Sequence, residues 1–225
     1  MVEQIDFHLE YAKKHKDNFI ADIVEDKKKL EDKTAVFMAG SPGAGKSEVA
    51  SSISSIYPDY VVIDADYFRS KFPGYNGSNS SEFQKAASWL VEQSFKYMVE
   101  NEYSFILDAT FALISSNNNI KRVIKNNFKP IIFYVYQKPL IAWDFTKKRE
   151  KVEGRVVPKQ TFINAFFKSR ENIIKAKAKY PEVELNIVLK DFNNNISDVH
   201  FDAENIELVI AQEYTREELE EKIND

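Results

Sequence analysis

Residues 34–47 of the chain read TAVFMAGSPGAGKS, an apolar run followed by a glycine-rich segment. The apolar run at 34–39 predicts a buried strand, because short apolar runs bounded by glycine are typical of strands inside a sheet. The segment after it fits the pattern G-x-x-x-x-G-K-S/T at every fixed position, and it stands between a strand and a helical stretch, as that pattern requires. The sequence therefore predicts a phosphate-binding loop made of Gly40, Ser41, Pro42, Gly43, Ala44, Gly45, Lys46 and Ser47.

The chemistry of such a loop points to a nucleotide with a phosphate tail. Backbone N–H groups and the N-terminus of the following helix surround the phosphates, and the helix dipole adds a positive field. Lys46 is expected to reach the β- and γ-phosphates, and the Ser47 hydroxyl is expected to bind Mg²⁺. The predicted cofactors are therefore ATP and Mg²⁺.

Strands and helices alternate along the rest of the chain. Further apolar strands are predicted at 60–63, 103–107, 131–136 and 183–189, with helical stretches between them. Apolar strands separated by helices form βαβ units, which build a parallel sheet covered on both faces. We therefore predict an α/β fold of the P-loop NTPase and kinase type, with ligands bound at the carboxyl ends of the strands.

The chain divides by composition into two parts. Residues 1–30 are predicted to form an N-terminal helical extension, because Lys, Glu and Asp alternate there with apolar residues at roughly helical spacing. Residues 31–225 are predicted to form the kinase domain, with a lid near 147–158. Loops are expected at 74–81 and 193–197, and a last helix with a capping box is expected from Thr215.

Composition excludes several classes of protein. The chain has 225 residues, 31 basic against 35 acidic residues, a net charge of -4 and no cysteine. Without cysteine, disulfides, thiolate catalysis and Cys-ligated metals are ruled out. The acidic balance makes nucleic acid an unfavourable partner, and the apolar runs are too short for a membrane span. No secretory signal is visible, so a soluble cytoplasmic protein is expected.

Three carboxylates follow the predicted strands next to the phosphate-binding loop. Asp66 is predicted to accept the proton of an acceptor hydroxyl, which favours a kinase over a switch GTPase. Asp64 is either a metal ligand or the cap of the next helix. Asp108 ends a run that resembles a Walker B element and could bind magnesium through water, or could hydrogen-bond the acceptor together with Thr110. Which of Asp64 and Asp108 is the metal-side carboxylate stays open.

A basic segment at 147–155 lies between two predicted helices. Gly154 and Pro158 mark a helix break, and Arg155 stands beside it. Guanidinium groups carried by a lid stabilise the charge that gathers on a transferring phosphoryl group. We therefore predict Arg149 and Arg155 as lid arginines.

Taken together, these motifs resemble the zeta toxin kinases of toxin–antitoxin systems. The resemblance covers roughly residues 34–170 and rests on the phosphate-binding loop, IDADYFRSKFPGY at 63–75, FILDATF at 105–111, and Arg149 with GRVVPK at 154–159. It implies ATP-dependent phosphorylation of a sugar hydroxyl of UDP-N-acetylglucosamine, which depletes a cell-wall precursor, and a possible antitoxin partner. It also implies catalytic roles for Asp66, Lys46, Arg149 and Arg155, and substrate contacts for Asp66, Arg69, Phe72, Asp108 and Thr110.

Three departures from the family pattern concern the acceptor and the lid. Phe72 stands where the family usually has His, Asp108 replaces the usual Glu, and the interval between Arg149 and Arg155 is shorter. Two alternatives therefore stay open. One is a P-loop kinase of another acceptor, such as a nucleoside, a nicotinamide nucleotide or an antibiotic. The other is a non-catalytic module that binds a nucleotide.

Overall fold

The computed structural model describes residues 6–224 and contains a six-stranded sheet in the order β2-β3-β1-β4-β5-β6. The neighbouring pairs among β1 to β5 are parallel, and β6 pairs with β5 in the antiparallel sense. The strands are β1 (Thr34–Ala39), β2 (Val61–Asp64), β3 (Phe105–Asp108), β4 (Lys129–Tyr136), β5 (Glu184–Lys190) and β6 (Ile196–His200).

Helices connect the parallel strands and cover both faces of the sheet. They are α1 (Phe7–Lys14), α2 (Lys16–Val24), α3 (Lys46–Ile56), α4 (Ala65–Ser70), α5 (Gln84–Asn101), α6 (Ser116–Lys125), α7 (Pro139–Glu153), α8 (Lys159–Lys179) and α9 (Arg216–Lys222). Within residues 6–224, no helix is long and apolar enough to span a bilayer.

The sequence of strand β1 is apolar from Ala35 to Ala39 because both faces of the strand are covered. Ala35, Phe37 and Ala39 join the larger hydrophobic cluster on one face of the sheet, whereas Val36 and Met38 join a second cluster on the other face. Successive side chains of a strand point to opposite faces, so a strand with helices on both sides has no position for an exposed residue. The burial of all six residues confirms the predicted α/β fold with both sheet faces covered.

The predicted N-terminal extension shares the core of the sheet domain. Ala12 of α1 and Phe19 and Ile23 of α2 are buried in the same hydrophobic cluster as α5 and β2. The boundary predicted near residue 30 is therefore a change in sequence composition, and the residues on its two sides share one hydrophobic core. Residues 1–5 of the predicted extension lie outside the described residues.

Strand β6 corrects the end of the loop predicted at 193–197: residues 193–195 lie in a loop as predicted, whereas residues 196–197 belong to the strand. Ile196, Ser197 and Asp198 are exposed; Ile196 and Asp198 pair with the edge of β5, and the Ser197 hydroxyl donates to the carbonyl oxygen of Leu189 at 3.1 Å. An exposed edge strand needs no apolar alternation, so its polar sequence looks like that of a loop. The predicted last helix is confirmed as α9, with a capping box between Thr215 and Glu218.

Candidate active site

The glycine-rich segment connects β1 to α3 at the carboxyl edge of the sheet. Lys46, the first residue of α3, donates from Nζ to the carbonyl oxygen of Ser41, at 2.8 Å. Its ammonium group is buried, and burial lowers the pKa of Lys46 to about 8. Asp108 opposes that shift, whereas the positive charges of Arg149 and Arg155 add to it. The loop therefore holds a lysine whose charge a phosphate group would stabilise.

Two carboxylates and one hydroxyl meet beside this lysine. The Ser47 hydroxyl donates to Asp108 Oδ2 at 2.7 Å, and Asp64 lies opposite Asp108 in the parallel register of β2 and β3. Mg²⁺ prefers oxygen ligands, and it is commonly held by one or two carboxylates together with phosphates and water. The oxygens of Ser47, Asp64 and Asp108 fit that requirement.

Asp64 also caps helix α4. Its carboxylate accepts from the backbone N–H of Asp66 at 2.9 Å and of Tyr67 at 3.3 Å. Burial raises the pKa of Asp64 to about 6, and the negative charges of Asp66 and Asp108 add to the effect. The structure thus shows the capping role that the sequence left open, and a role as a metal ligand stays a prediction.

Asp66 is held by arginine side chains from two parts of the chain. Its Oδ1 accepts from Arg69 and its Oδ2 accepts from Arg155, which lies just past the end of α7. Arg149 Nη2 lies 4.0 Å from Asp66 Oδ2. The Asp66 side chain is 35% exposed, so its carboxylate remains accessible from solvent. The structure therefore brings three of the predicted catalytic residues, Asp66, Arg149 and Arg155, together.

A cleft separates the start of α3 from the end of α7. It has a volume of about 610 Å³ and is lined by Ser47, Glu48, Ser51, Arg149 and Glu153. Glu153 accepts from Arg149 Nε at 3.2 Å and from Nη2 at 3.0 Å, and this contact raises the pKa of Arg149. The cleft thus runs from the Ser47 hydroxyl, the predicted magnesium ligand, to Arg149, one of the two predicted lid arginines.

Two of the residues predicted to contact the substrate, Phe72 and Arg69, are buried in the structure. The Phe72 side chain is 4% exposed and packs against Phe19 and Phe83, with ring centroids 5.1 and 5.4 Å apart. Arg69 is 2% exposed, and its Nη2 donates to Gln84 Oε1 at 2.6 Å. Phe72 therefore packs in the core and Arg69 supports Asp66, while the predicted contacts of both residues with the acceptor stay predictions.

Thr110 lies at the edge of the phosphate-binding loop. Its carbonyl oxygen accepts from the backbone N–H of Gly40 at 3.2 Å, and its hydroxyl oxygen accepts from the N–H of Ala112 at 3.4 Å. The predicted contact of Thr110 with the acceptor stays a prediction.

The sequence reading missed three side chains beside the site. Gln84 holds Arg69, and nothing in its local sequence marks it. Lys190 and Asn194 lie against Gly45, where an added Cβ would meet Lys190 Nζ at 3.1 Å and Asn194 Oδ1 at 3.0 Å. Lys190 ends β5, so the rule that ligands bind at strand carboxyl ends could have found it.

Comparisons with known proteins give the family of the chain. The family model described as Zeta toxin matches residues 18–204. None of the curated proteins compared with the chain matches it.

Solved structures of low sequence identity share the fold. The structure of the PezAT chromosomal toxin–antitoxin system of Streptococcus pneumoniae aligns with a TM-score of 0.66 at 16% identity, over 97% of this chain and 92% of that chain. The AvrRxo1-ORF1:-ORF2 complex aligns with a TM-score of 0.68 at 12% identity, over 88% of this chain and 70% of that chain. The AvrRxo1-ORF1:-ORF2 structure with ATP aligns with a TM-score of 0.63 at 12% identity, over 89% and 69%.

The family model spans most of the chain, and the matched range includes the phosphate-binding loop, Asp66, Asp108, Arg149 and Arg155. The resemblance found in the sequence is confirmed: the chain belongs to the zeta toxin family.

Proposed function

We propose that the protein is a Mg²⁺- and ATP-dependent kinase that transfers the γ-phosphoryl group to a hydroxyl of a small molecule, the sugar of UDP-N-acetylglucosamine. The observation that carries the proposal is the placement of Asp66. Its accessible carboxylate is bonded by Arg155 and has Arg149 within 4.0 Å, and both arginines are close enough to Lys46 to lower its pKa. A proton acceptor and the cations for a phosphoryl group thus share one site.

The loop residues bind and orient the phosphate tail. On nucleotide binding, the Lys46 ammonium exchanges its bond to the Ser41 carbonyl for bonds to phosphate oxygens. Ser47, with Asp108 or Asp64, would hold Mg²⁺, which neutralises phosphate charge when it is bound. Arg149 and Arg155 stabilise the charge on the equatorial oxygens of the transferring group.

Asp66 accepts the proton of the acceptor hydroxyl. As the hydroxyl oxygen forms its bond to the γ-phosphorus, the bond from that phosphorus to the β,γ-bridging oxygen breaks, and ADP leaves. The hydroxyl proton passes to the Asp66 carboxylate. General-base assistance of this kind contributes about 10²- to 10⁴-fold to rate.

A kinase of another hydroxyl acceptor is the second candidate. One observation favours this second candidate. The family resemblance assigns Asp108 to the sugar nucleotide, whereas in the structure Asp108 accepts a hydrogen bond from the Ser47 hydroxyl at 2.7 Å. A nucleoside, a nicotinamide nucleotide or an antibiotic would then take the acceptor position.

The proposed function also implies a partner and a compartment. A kinase that consumes a cell-wall precursor has to be restrained in the cell that makes it, so an antitoxin protein is the expected partner. Because the two proposed substrates, ATP and UDP-N-acetylglucosamine, are cytoplasmic, we expect the reaction to take place in the cytoplasm.

Transfer from γ-labelled ATP to a panel of acceptors tests the proposal. We expect label in phosphorylated UDP-N-acetylglucosamine with the wild-type chain and none with Lys46→Ala. Label in a different acceptor alone would establish the second candidate. Absence of transfer to every acceptor would overturn the assignment as a kinase.

A further inference from the structure

Two glycines bring the predicted loop at 74–81 and the end of α7 into direct backbone contact. A Cβ added to Gly77 would lie 2.0 Å from the carbonyl oxygen of Glu153. A Cβ added to Gly154 would lie 3.0 Å from the backbone nitrogen of Ser78 and 3.2 Å from its Cα. Each glycine therefore leaves the space that the other segment fills. We call the contact of Gly77 with Glu153 and of Gly154 with Ser78 the glycine clasp.

The glycine clasp lies next to the catalytic constellation. Arg155 follows Gly154 directly in the chain and donates to Asp66 Oδ2. The chain then runs from Asp66 through α4 to Gly77, where it meets the end of α7 again. Two contacts, one ionic and one between backbones, thus join the segment 66–78 to residues 153–155.

We propose that Gly77 and Gly154 are positioning residues that hold Arg155 against Asp66 before any nucleotide binds. An ion pair that is partly exposed to solvent does not fix a lid by itself, because such pairs contribute little and are screened by salt. The glycine clasp supplies the second point of attachment. Its catalytic consequence rests on the proposed kinase function, whereas its effect on lid position does not.

The size of the expected effect follows from the distances. Ordinary van der Waals contact between a Cβ and a backbone oxygen needs more than 3 Å, so a methyl group on Gly77 pushes the carbonyl of Glu153 away by about 1 Å. Misplacement of a catalytic group by that distance costs about 10²-fold in rate. Gly77→Ala should therefore lower kcat about 10²-fold and leave the Kd for ATP unchanged.

Gly74 provides a matched control three residues away. Its φ of 81° is close to the 86° of Gly77, so alanine introduces similar backbone strain at both positions. A Cβ on Gly74 meets nothing within 4 Å. Gly74→Ala should therefore keep near wild-type kcat, and an equal loss in both variants would overturn the proposal.

A double-mutant cycle tests whether the glycine clasp acts through Arg155. In an Arg155→Ala background the clasp has no arginine to position, so adding Gly77→Ala should cost no more than about threefold in kcat. A further loss of about 10²-fold would show that Gly77 acts by another route.

A distance measurement completes the test without using activity. The chain has no cysteine, so spin labels can be attached at the exposed positions of Ser81→Cys and Val152→Cys without removing native residues. We expect one narrow distance distribution in the nucleotide-free protein, broadened by Gly77→Ala and unchanged by Gly74→Ala. Should Gly77→Ala fail to fold, Gly154→Ala, whose added Cβ meets Ser78 less closely, is measured in its place. Identical distributions in the clasp variant and the control would refute the clasp even if the protein proves to be a kinase.

Discussion

The affinity for ATP should fall steeply as the pH rises through the pKa of Lys46. Burial lowers that pKa to about 8, because the ammonium group is removed from water and faces Arg149 and Arg155. Bound phosphates stabilise the charged amine, so binding favours protonated Lys46 and takes up a proton when the free protein has lost it. The dissociation constant is then inversely proportional to the protonated fraction of the free protein.

The magnitude follows from this pKa. The protonated fraction is about 0.75 at pH 7.5 and about 0.03 at pH 9.5, so the Kd should rise roughly 25-fold between them. A lysine with the ordinary pKa of 10.5 would stay about 90% protonated at pH 9.5, and its Kd would hardly change. At about pH 8.5, binding should take up about 0.75 proton.

Titration calorimetry with a non-hydrolysable ATP analogue and Mg²⁺ measures both quantities. The proton uptake comes from the binding heats in buffers that differ in ionisation enthalpy. Lys46→Ala is the control, and any binding that survives in it should be weak and independent of pH. A flat Kd in the wild-type chain, without proton uptake, would refute the assignment of a buried lysine at the phosphate site.

Three further substitutions test individual side chains around the site. Because the pKa of Asp64 is raised from 3.8 to about 6, its contribution to stability is present below pH 3.8 and is lost as the pH rises through about 6. Asp64→Asn removes the charge and keeps an oxygen to cap α4. At neutral pH this substitution should raise the free energy of unfolding by up to about 3 kcal/mol, and near pH 4 it should change almost nothing. Urea unfolding measures the difference, and a loss of stability at neutral pH would contradict the prediction. Arg155→Ala should lower kcat about 10³-fold and Arg149→Ala clearly less, because Arg155 bonds Asp66 directly whereas Arg149 is held by Glu153. Steady-state kinetics showing equal losses would contradict the distinction.

The parts of the fold that depend on local sequence were predictable. The phosphate-binding loop requires fixed residue types at fixed spacing, and β1 requires a continuous apolar run because both of its faces are buried. Gly154 and Pro158 likewise predict a helix break, and in the structure α7 ends before Gly154 and α8 begins after Pro158. Strand β6 has no such sequence pattern, because a strand at an exposed edge of the sheet can have polar side chains.

The arrangement of the site depends on contacts between distant residues, which no local pattern records. Arg155 contacts Asp66, which lies 89 positions earlier in the sequence, and the buried Arg69 donates to Gln84 of the next helix. The sequence predicts an acceptor contact for Phe72, whereas in the structure the ring of Phe72 packs against Phe19 from α2. Its place in the core follows from packing with the N-terminal helices.

Asp66→Asn tests the central claim most directly, because it removes the proton acceptor; the amide keeps one oxygen for Arg69 or Arg155 and turns its NH₂ group toward the other arginine. The measurement is the single-turnover rate of phosphoryl transfer from γ-labelled ATP to the accepted hydroxyl, alongside the Kd for ATP. We predict a rate lower by about 10²- to 10⁴-fold with a Kd close to that of the wild-type chain. A near-normal rate would show that Asp66 is not the proton acceptor, and the proposed mechanism would be wrong.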